Sequence, residues 1–473
     1  MKNKKHIWIV ALLLVLILLT GAGIVVFQGI GQLTGKDNSK KDIANATTFE
    51  PYSEYEEFAE VPIMTGKSIH FEEAVDFGNN TYGIHAYDTN LEEYNTYLNK
   101  LEEEGFKKYV DNGDNGLEGF VYKAHYQKGE MLVTVTHLVK QNRTKITVNA
   151  NGSVADHLIY SEEYAKDNKE GAKTTLYFPE LYYIGASFFL QLKNGHFIVN
   201  DGGAADELEY LLDDMQALVP EGEKPIVDAW FISHAHVDHV GVFKAFLDNK
   251  ELLDRVYVEN VYYNEMSDEA INFHNPYDQI KDLLGYMRGV PHMMKSTSGK
   301  APQIYQPSMG DRFYFSDITV DVVFSQEMLP YDEWLTINST SMWLMYTIDG
   351  QKVLFPADGI WPAQRFVMQT YDSSYLDLDV FFTPHHAQDI YDQFTNYAER
   401  ISTVLYTDTH TNSAYKKDKE GVRVAQSLHL HSVAEEAYSF GEGTVVMTFP
   451  YKPGAAKVLP LREWIYHAKE PER

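Results

Sequence analysis

The chain has 473 residues, 44% hydrophobic and 23% charged, which excludes a wholly disordered or collagen-like polymer and leaves room for two or three domains. Lys and Arg number 40 against 68 Asp and Glu, a net charge of −28 that disfavours broad, sequence-independent nucleic-acid binding. Cysteine is absent, so disulfides, thiolate zinc sites and thiol nucleophiles are excluded, and any metal must be held by His, Asp, Glu or backbone oxygen.

The first residues carry Lys2, Lys4 and Lys5, and the stretch from Ile7 to Phe27 is uncharged. Roughly 20 helical residues cross the hydrocarbon core of a bilayer, so residues 1–30 are expected to form a transmembrane anchor. The apolar stretch is long for a secretory signal, and Gly21-Ala22-Gly23 is followed by further apolar sequence, which favours an uncleaved anchor over a cleaved signal peptide. The early lysines would stay in the cytoplasm and leave the bulk of the chain outside it. Residues 31–49 are polar and read as a linker.

Residues 50–170 read as a small α+β domain. Leu91, Tyr94, Leu98 and Leu101 recur at helical spacing until Gly105. Alternating strand patterns follow over 119–126, 131–137 and 145–149. His125 and His137 fall inside those patterns and read as ordinary strand residues.

From residue 174 to 473 strands alternate with helices. A hairpin is expected across Asn194-Gly195, ending at Asp201-Gly202-Gly203, and an amphipathic helix over 205–218. Ile226 to Ile232 is nearly all apolar, as a strand buried on both faces requires. At its end stands Ser233-His-Ala-His-Val-Asp-His-Val-Gly241, with His234, His236, Asp238 and His239 inside six residues. On a tight loop these donors can converge, and imidazole nitrogen with carboxylate oxygen suits one or two Zn²⁺ ions. Further strands are expected over 313–323, 341–348, 352–355, 380–382 and 403–406.

The run from Ser233 to Gly241 resembles the H-x-H-x-D-H signature of the metallo-β-lactamase superfamily. The likeness extends to Asp201-Gly202, to Phe355-Pro-Ala-Asp358-Gly359 and to Thr383-Pro-His385-His386. Together with Asn338-Ser-Thr-Ser341 and Tyr406-Thr-Asp408, the pattern is most similar to the metallo-hydrolase domain of DNA-uptake competence proteins. The resemblance implies an α/β fold, an αββα sandwich of the metallo-β-lactamase type, preceded by the small α+β domain and the anchor. It implies that His234 and His236 bind one metal, that Asp238, His239 and His385 bind a second, and that Asp358 lies between them. His386 is the alternative to His385, which is preferred because the strand ends at Thr383-Pro384. The family's further histidine for the first metal has only His274 and His292 as candidates, so that site is expected to be completed by water or substrate, and a single tightly held ion is the alternative stoichiometry.

The implied activity is that of a membrane-anchored, extracytoplasmic hydrolase using a metal-bound hydroxide on an ester or phosphoester. Zn²⁺ is the expected ion, with Mn²⁺ or Fe²⁺ as alternatives. Asp238 would orient the hydroxide and His410 would protonate the leaving oxygen; Ser341 and Asn338 would buttress Asp358. A small-molecule or cell-envelope ester fits the acidic chain better than nucleic acid. A non-catalytic envelope binding protein and an extracytoplasmic nuclease are the competing readings.

Overall fold

The computed structural model of the protein describes residues 58–72, 75–78, 80–182, 185–264, 285–329, 336–388, 390–407 and 432–462. The expected anchor over 7–27, the linker, His274, Asp408 and His410 lie outside the described residues. No helix among the described residues is long and apolar enough to cross a membrane.

The first sheet is built from β1 (His70–Phe71), β2 (Val75–Gly78), β3 (Thr81–Tyr87), β4 (Lys107–Asp111), β5 (Val121–Lys128), β6 (Met131–Leu138) and β7 (Arg143–Asn149), ordered β1-β3-β7-β6-β5-β4 with β2 beside β3. Helix α1 (Leu91–Glu103) opens with a capping box, in which Asn90 and Glu93 satisfy each other's backbone N–H groups. Its stripe of Tyr94, Tyr97, Leu98 and Leu101 packs on the apolar face of the sheet, formed by Ile84, Ala124, Val133, Val135, Ile146 and Val148.

The second sheet contains β8 (Thr175–Phe178), β9 (Ser187–Gln191), β10 (Phe197–Asp201), β11 (Ile226–Ile232), β12 (Tyr257–Val258), β13 (Asn260–Tyr263) and β14 (Gln303–Tyr305). The third runs in sequence order through β15 (Arg312–Phe315), β16 (Ile318–Phe324), β17 (Trp343–Ile348), β18 (Gln351–Phe355), β19 (Asp377–Phe382), β20 (Arg400–Tyr406) and β21 (Glu436–Ser439). Two late strands, β22 (Val445–Thr448) and β23 (Lys457–Val458), return to the second sheet beside β8. Phe188 of β9 meets Phe355 of β18 at 5.1 Å between ring centroids, and Phe178 of β8 meets Phe382 of β19 at 5.5 Å, so one aromatic core joins the two sheets.

The expected α/β class and αββα sandwich are overturned. The described molecule is mostly β-sheet, in three sheets of seven, nine and seven strands, with few helices. The reason is physical: backbone pairing gathers the described strands into three sheets, aromatic side chains pack the second against the third, and the first is hydrogen-bonded to the body. Lys140 Nζ donates to the Tyr371 carbonyl at 3.0 Å, Arg143 to the Met328 carbonyl at 2.9 Å and Lys145 to the Glu327 carbonyl at 2.7 Å.

Candidate metal centre

The candidate donors stand just beyond the carboxyl ends of three strands, β11, β18 and β19. The apolar β11 delivers Ser233 and His234 into the interior, and helix α2 (Val237–Asp248) begins immediately after His236, placing Asp238 and His239 in its first turn. Gly241 is required by packing: a Cβ there would lie 2.7 Å from the backbone nitrogen of Ala205, because α2 crosses that segment at close range.

Two groups of donors result, each with its ligand atoms within 4.8 Å of one another. One is Asp238, His239, Asp358 and His386; the other is His234, His236 and Asp358. Asp358 belongs to both. His239 Nε2 lies 3.0 Å from Asp358 Oδ1, His386 Nε2 lies 3.4 Å from Asp358 Oδ2 and 3.0 Å from Asp238 Oδ2, and His234 Nε2 is 3.7 Å from Asp358 Oδ2. His234, His239, Asp358 and His386 are buried, whereas His236 and Asp238 are partly exposed and form the open side.

Surrounding groups fix the direction of each ring. Asp201, buried at the end of β10, accepts from the Ser233 backbone N–H at 2.8 Å and the Ser233 hydroxyl at 2.7 Å, and its Oδ2 lies 2.7 Å from His239 Nδ1. His386 Nδ1 donates to the Thr407 carbonyl at 2.8 Å. A ring that donates through Nδ1 presents Nε2 as its electron pair, the arrangement a metal-binding histidine needs. Asp201 adopts a left-handed backbone, φ 51°, as do His385, His386 and Ala387 at 47°, 51° and 60°. Such conformations cost free energy in non-glycine residues and concentrate at functional sites.

His239 Nε2, Asp358 Oδ1 and His386 Nε2 are buried and make no hydrogen bond of proper geometry, although they crowd together. Buried imidazole nitrogens crowded against buried carboxylate oxygens without a hydrogen bond fit a cation between them. The electrostatics agree. Burial pulls His234 well below its ordinary value, reinforced by His239 and His236. Burial also lowers His236, against the pull of Asp358 and Asp238. For His239 and His386 burial is outweighed by carboxylates, Asp358 with Asp201 and Asp358 with Asp238 respectively, so His239 rises well above its ordinary value and His386 to about 10. Burial works against ionisation of Asp358 and Asp238, yet the neighbouring imidazoles hold Asp358 well below the usual carboxylate range and lower Asp238.

Five of the six expected ligands, His234, His236, Asp238, His239 and Asp358, meet in this centre. The sixth, His385, is not in either donor group, whereas its alternative His386 is. The left-handed turn carries the His385 ring to Asn338, whose Nδ2 donates to His385 Nε2 at 3.0 Å, and turns the next ring inward. Asn338 therefore does not buttress Asp358, and the Ser341 hydroxyl is buried without a hydrogen bond. His292 is exposed and belongs to neither donor group. The part missing from the expected site is the role of Asp201; the signal available for it was a strand-terminal Asp followed by two glycines. No family model matches the chain, and no curated protein matches it.

Proposed function

We propose that the protein is a metal-dependent hydrolase that holds two divalent cations, Zn²⁺ by donor chemistry, and acts on an ester or phosphoester outside the cytoplasmic membrane, to which residues 7–27 tether it. The observation that carries this reading is the membership of Asp358 in both donor groups, so that one carboxylate would serve both cations. Affinity with the metallo-β-lactamase superfamily is proposed for the order of these donors along the chain.

Cations of this class supply a nucleophilic water near neutral pH and positive charge opposite a developing oxyanion. His234, His236 and Asp358 would hold one, and Asp238, His239, Asp358 and His386 the other. Asp201 and the Thr407 carbonyl keep the Nε2 atoms of His239 and His386 directed inward. Asp238, on the open side, would accept a hydrogen bond from the attacking water and aim it. The group formed by His234, His236 and Asp358 offers three protein donors, one fewer than the four that normally close a structural zinc site. That difference favours catalysis over a purely structural ion. The net charge of −28 favours a small or envelope-bound ester over nucleic acid.

The test measures metal content and turnover of bis(p-nitrophenyl) phosphate and a panel of carboxylic esters and lactones. Asp358→Ala should lose both ions and all turnover, and chelation should abolish turnover reversibly. Full metal content with no hydrolysis of any ester, or hydrolysis that survives chelation, would refute the proposal.

A further inference from the structure

A second site lies where the first sheet meets the body. The polar residues of β5, β6 and β7 alternate with the apolar ones that face α1, and this polar face is turned toward the segment from Tyr305 to Glu327. Cross-strand register arranges it in rows. Lys123, Thr136, Lys145 and His85 form a buried row, each opposite the next, and His125, Thr134 and Thr147 form the adjoining row. Between this face and the body is a cavity of about 430 Å³, within the range of small-molecule sites. None of the six donor residues of the candidate metal centre lines it.

Charge in and beside the cavity is largely matched internally. Asp311 Oδ1 receives Lys123 Nζ at 2.9 Å and His125 Nε2 at 2.8 Å, while its Oδ2 accepts from the Ser308 backbone at 2.8 Å. Glu327 Oε1 accepts from the Ser325 hydroxyl at 2.6 Å and the Met309 N–H at 3.1 Å. Lys145 donates to the Glu327 carbonyl, and burial lowers its ammonium to about 7, so its charge is weak near neutrality. The remaining wall is uncharged and mixed: Thr134, Thr147, Asn149 and Gln306 offer polar atoms beside apolar Leu132, Val154, Leu158 and Ile304, and Thr134 and Asn149 already bond His125 at 2.9 Å and Thr81 at 2.7 Å. Half-buried Tyr305 lines it too, stacked at 5.6 Å on buried Tyr262, so its ring is held in place before any ligand arrives.

Hydroxyl, amide and apolar groups around a fixed aromatic ring, with Asp311 paired to Lys123 and Glu327 held by neutral donors, match a ligand that carries many hydroxyls, a hydrocarbon face and no net charge. We propose that this cavity is a binding site for a neutral saccharide, whose ring lies against Tyr305 and whose hydroxyls bond Thr134, Thr147 and Asn149. A sheet face packed only for stability would be apolar, because burying polar groups without full compensation costs free energy. The site is independent of the metal chemistry proposed above.

The experiment titrates the full chain, in a detergent without a sugar headgroup, with N-acetylglucosamine, chitobiose, cellobiose and maltose by isothermal calorimetry, with glucose 6-phosphate as the anionic comparison. At least one neutral sugar should bind with a dissociation constant of about 1 mM or tighter. Thr147→Trp, which fills the cavity, and Tyr305→Ala, which removes the platform, should each weaken binding about tenfold or more, with the circular-dichroism spectrum and metal content retained. If Thr147→Trp fails to fold, Tyr305→Ala decides alone. Absence of binding by every neutral sugar, binding of the phosphorylated sugar only, or neutral-sugar binding indifferent to the folded variants would overturn the assignment.

Discussion

Asp201 Oδ2 lies 2.7 Å from His239 Nδ1, with both side chains fully buried. The carboxylate therefore sets which ring nitrogen of His239 carries the proton, and leaves Nε2 to face Asp358. Asp201→Asn keeps the shape but places an amide that can donate, allowing the opposite tautomer and a protonated Nε2. Zinc affinity should fall about 10- to 100-fold, the usual effect of losing a group that orients a metal ligand. Competition titration with a chromophoric chelator measures this; unchanged affinity would show that Asp201 plays no orienting part.

The neighbouring histidines at 385 and 386 should behave oppositely. His386→Ala removes a donor aimed at Asp238 and Asp358, so zinc per chain after dialysis should drop from two toward one. His385→Ala removes a ring held by Asn338 and should leave the content unchanged. Elemental analysis of the two purified variants reads the difference, and a reversed pattern would return the ligand role to His385.

Acid should destabilise the first sheet through His137. This ring is buried, its Nδ1 is 2.9 Å from the Thr144 hydroxyl, and burial lowers it from 6.5 to about 4. Between those values the unfolded chain binds more protons than the folded one, so stability falls as pH drops from about 6.5 to about 4. The full shift corresponds to on the order of 3 kcal/mol. Melting curves at about pH 7 and about pH 4.5 should show a smaller acid-induced loss in His137→Phe than in the parent protein; equal losses would exclude burial of this ring as a cause.

Lys123 and Asp311 form a buried bridge between the first sheet and the body, 2.9 Å long, with His125 on the same carboxylate oxygen. Asp311→Ala leaves Lys123 buried without its counter-charge and should cost about 3–5 kcal/mol. Removing both charges in Asp311→Ala with Lys123→Met should recover part of that loss. Chemical denaturation of the three proteins tests this, and a double variant no more stable than Asp311→Ala would contradict it.

Much of the candidate metal centre was legible from local pattern. His234, His236, Asp238 and His239 sit within six residues after an apolar run, and strand followed by tight loop leaves few directions for their rings. Asp358 was legible because it follows a strand ending in Phe355-Pro-Ala. The partition between His385 and His386 was not, since adjacent residues on an irregular loop are distinguished only by backbone dihedrals. Three successive left-handed residues, stabilised by the His385 N–H to Ala357 carbonyl bond, made that choice.

The first sheet shows the same division. Lys123, His125, Thr134, Thr136, Lys145 and Thr147 alternate with apolar neighbours, and period-two alternation follows from strand geometry alone, so the existence of a polar face was written in the local order of residues. Alternation says nothing about what that face meets. In place of open solvent it meets Asp311, Glu327 and Tyr305, roughly 160 to 200 positions further along the chain. Only long-range packing could bring those partners up, and with them the cavity, the paired charges and the three-sheet architecture in place of the layered sandwich.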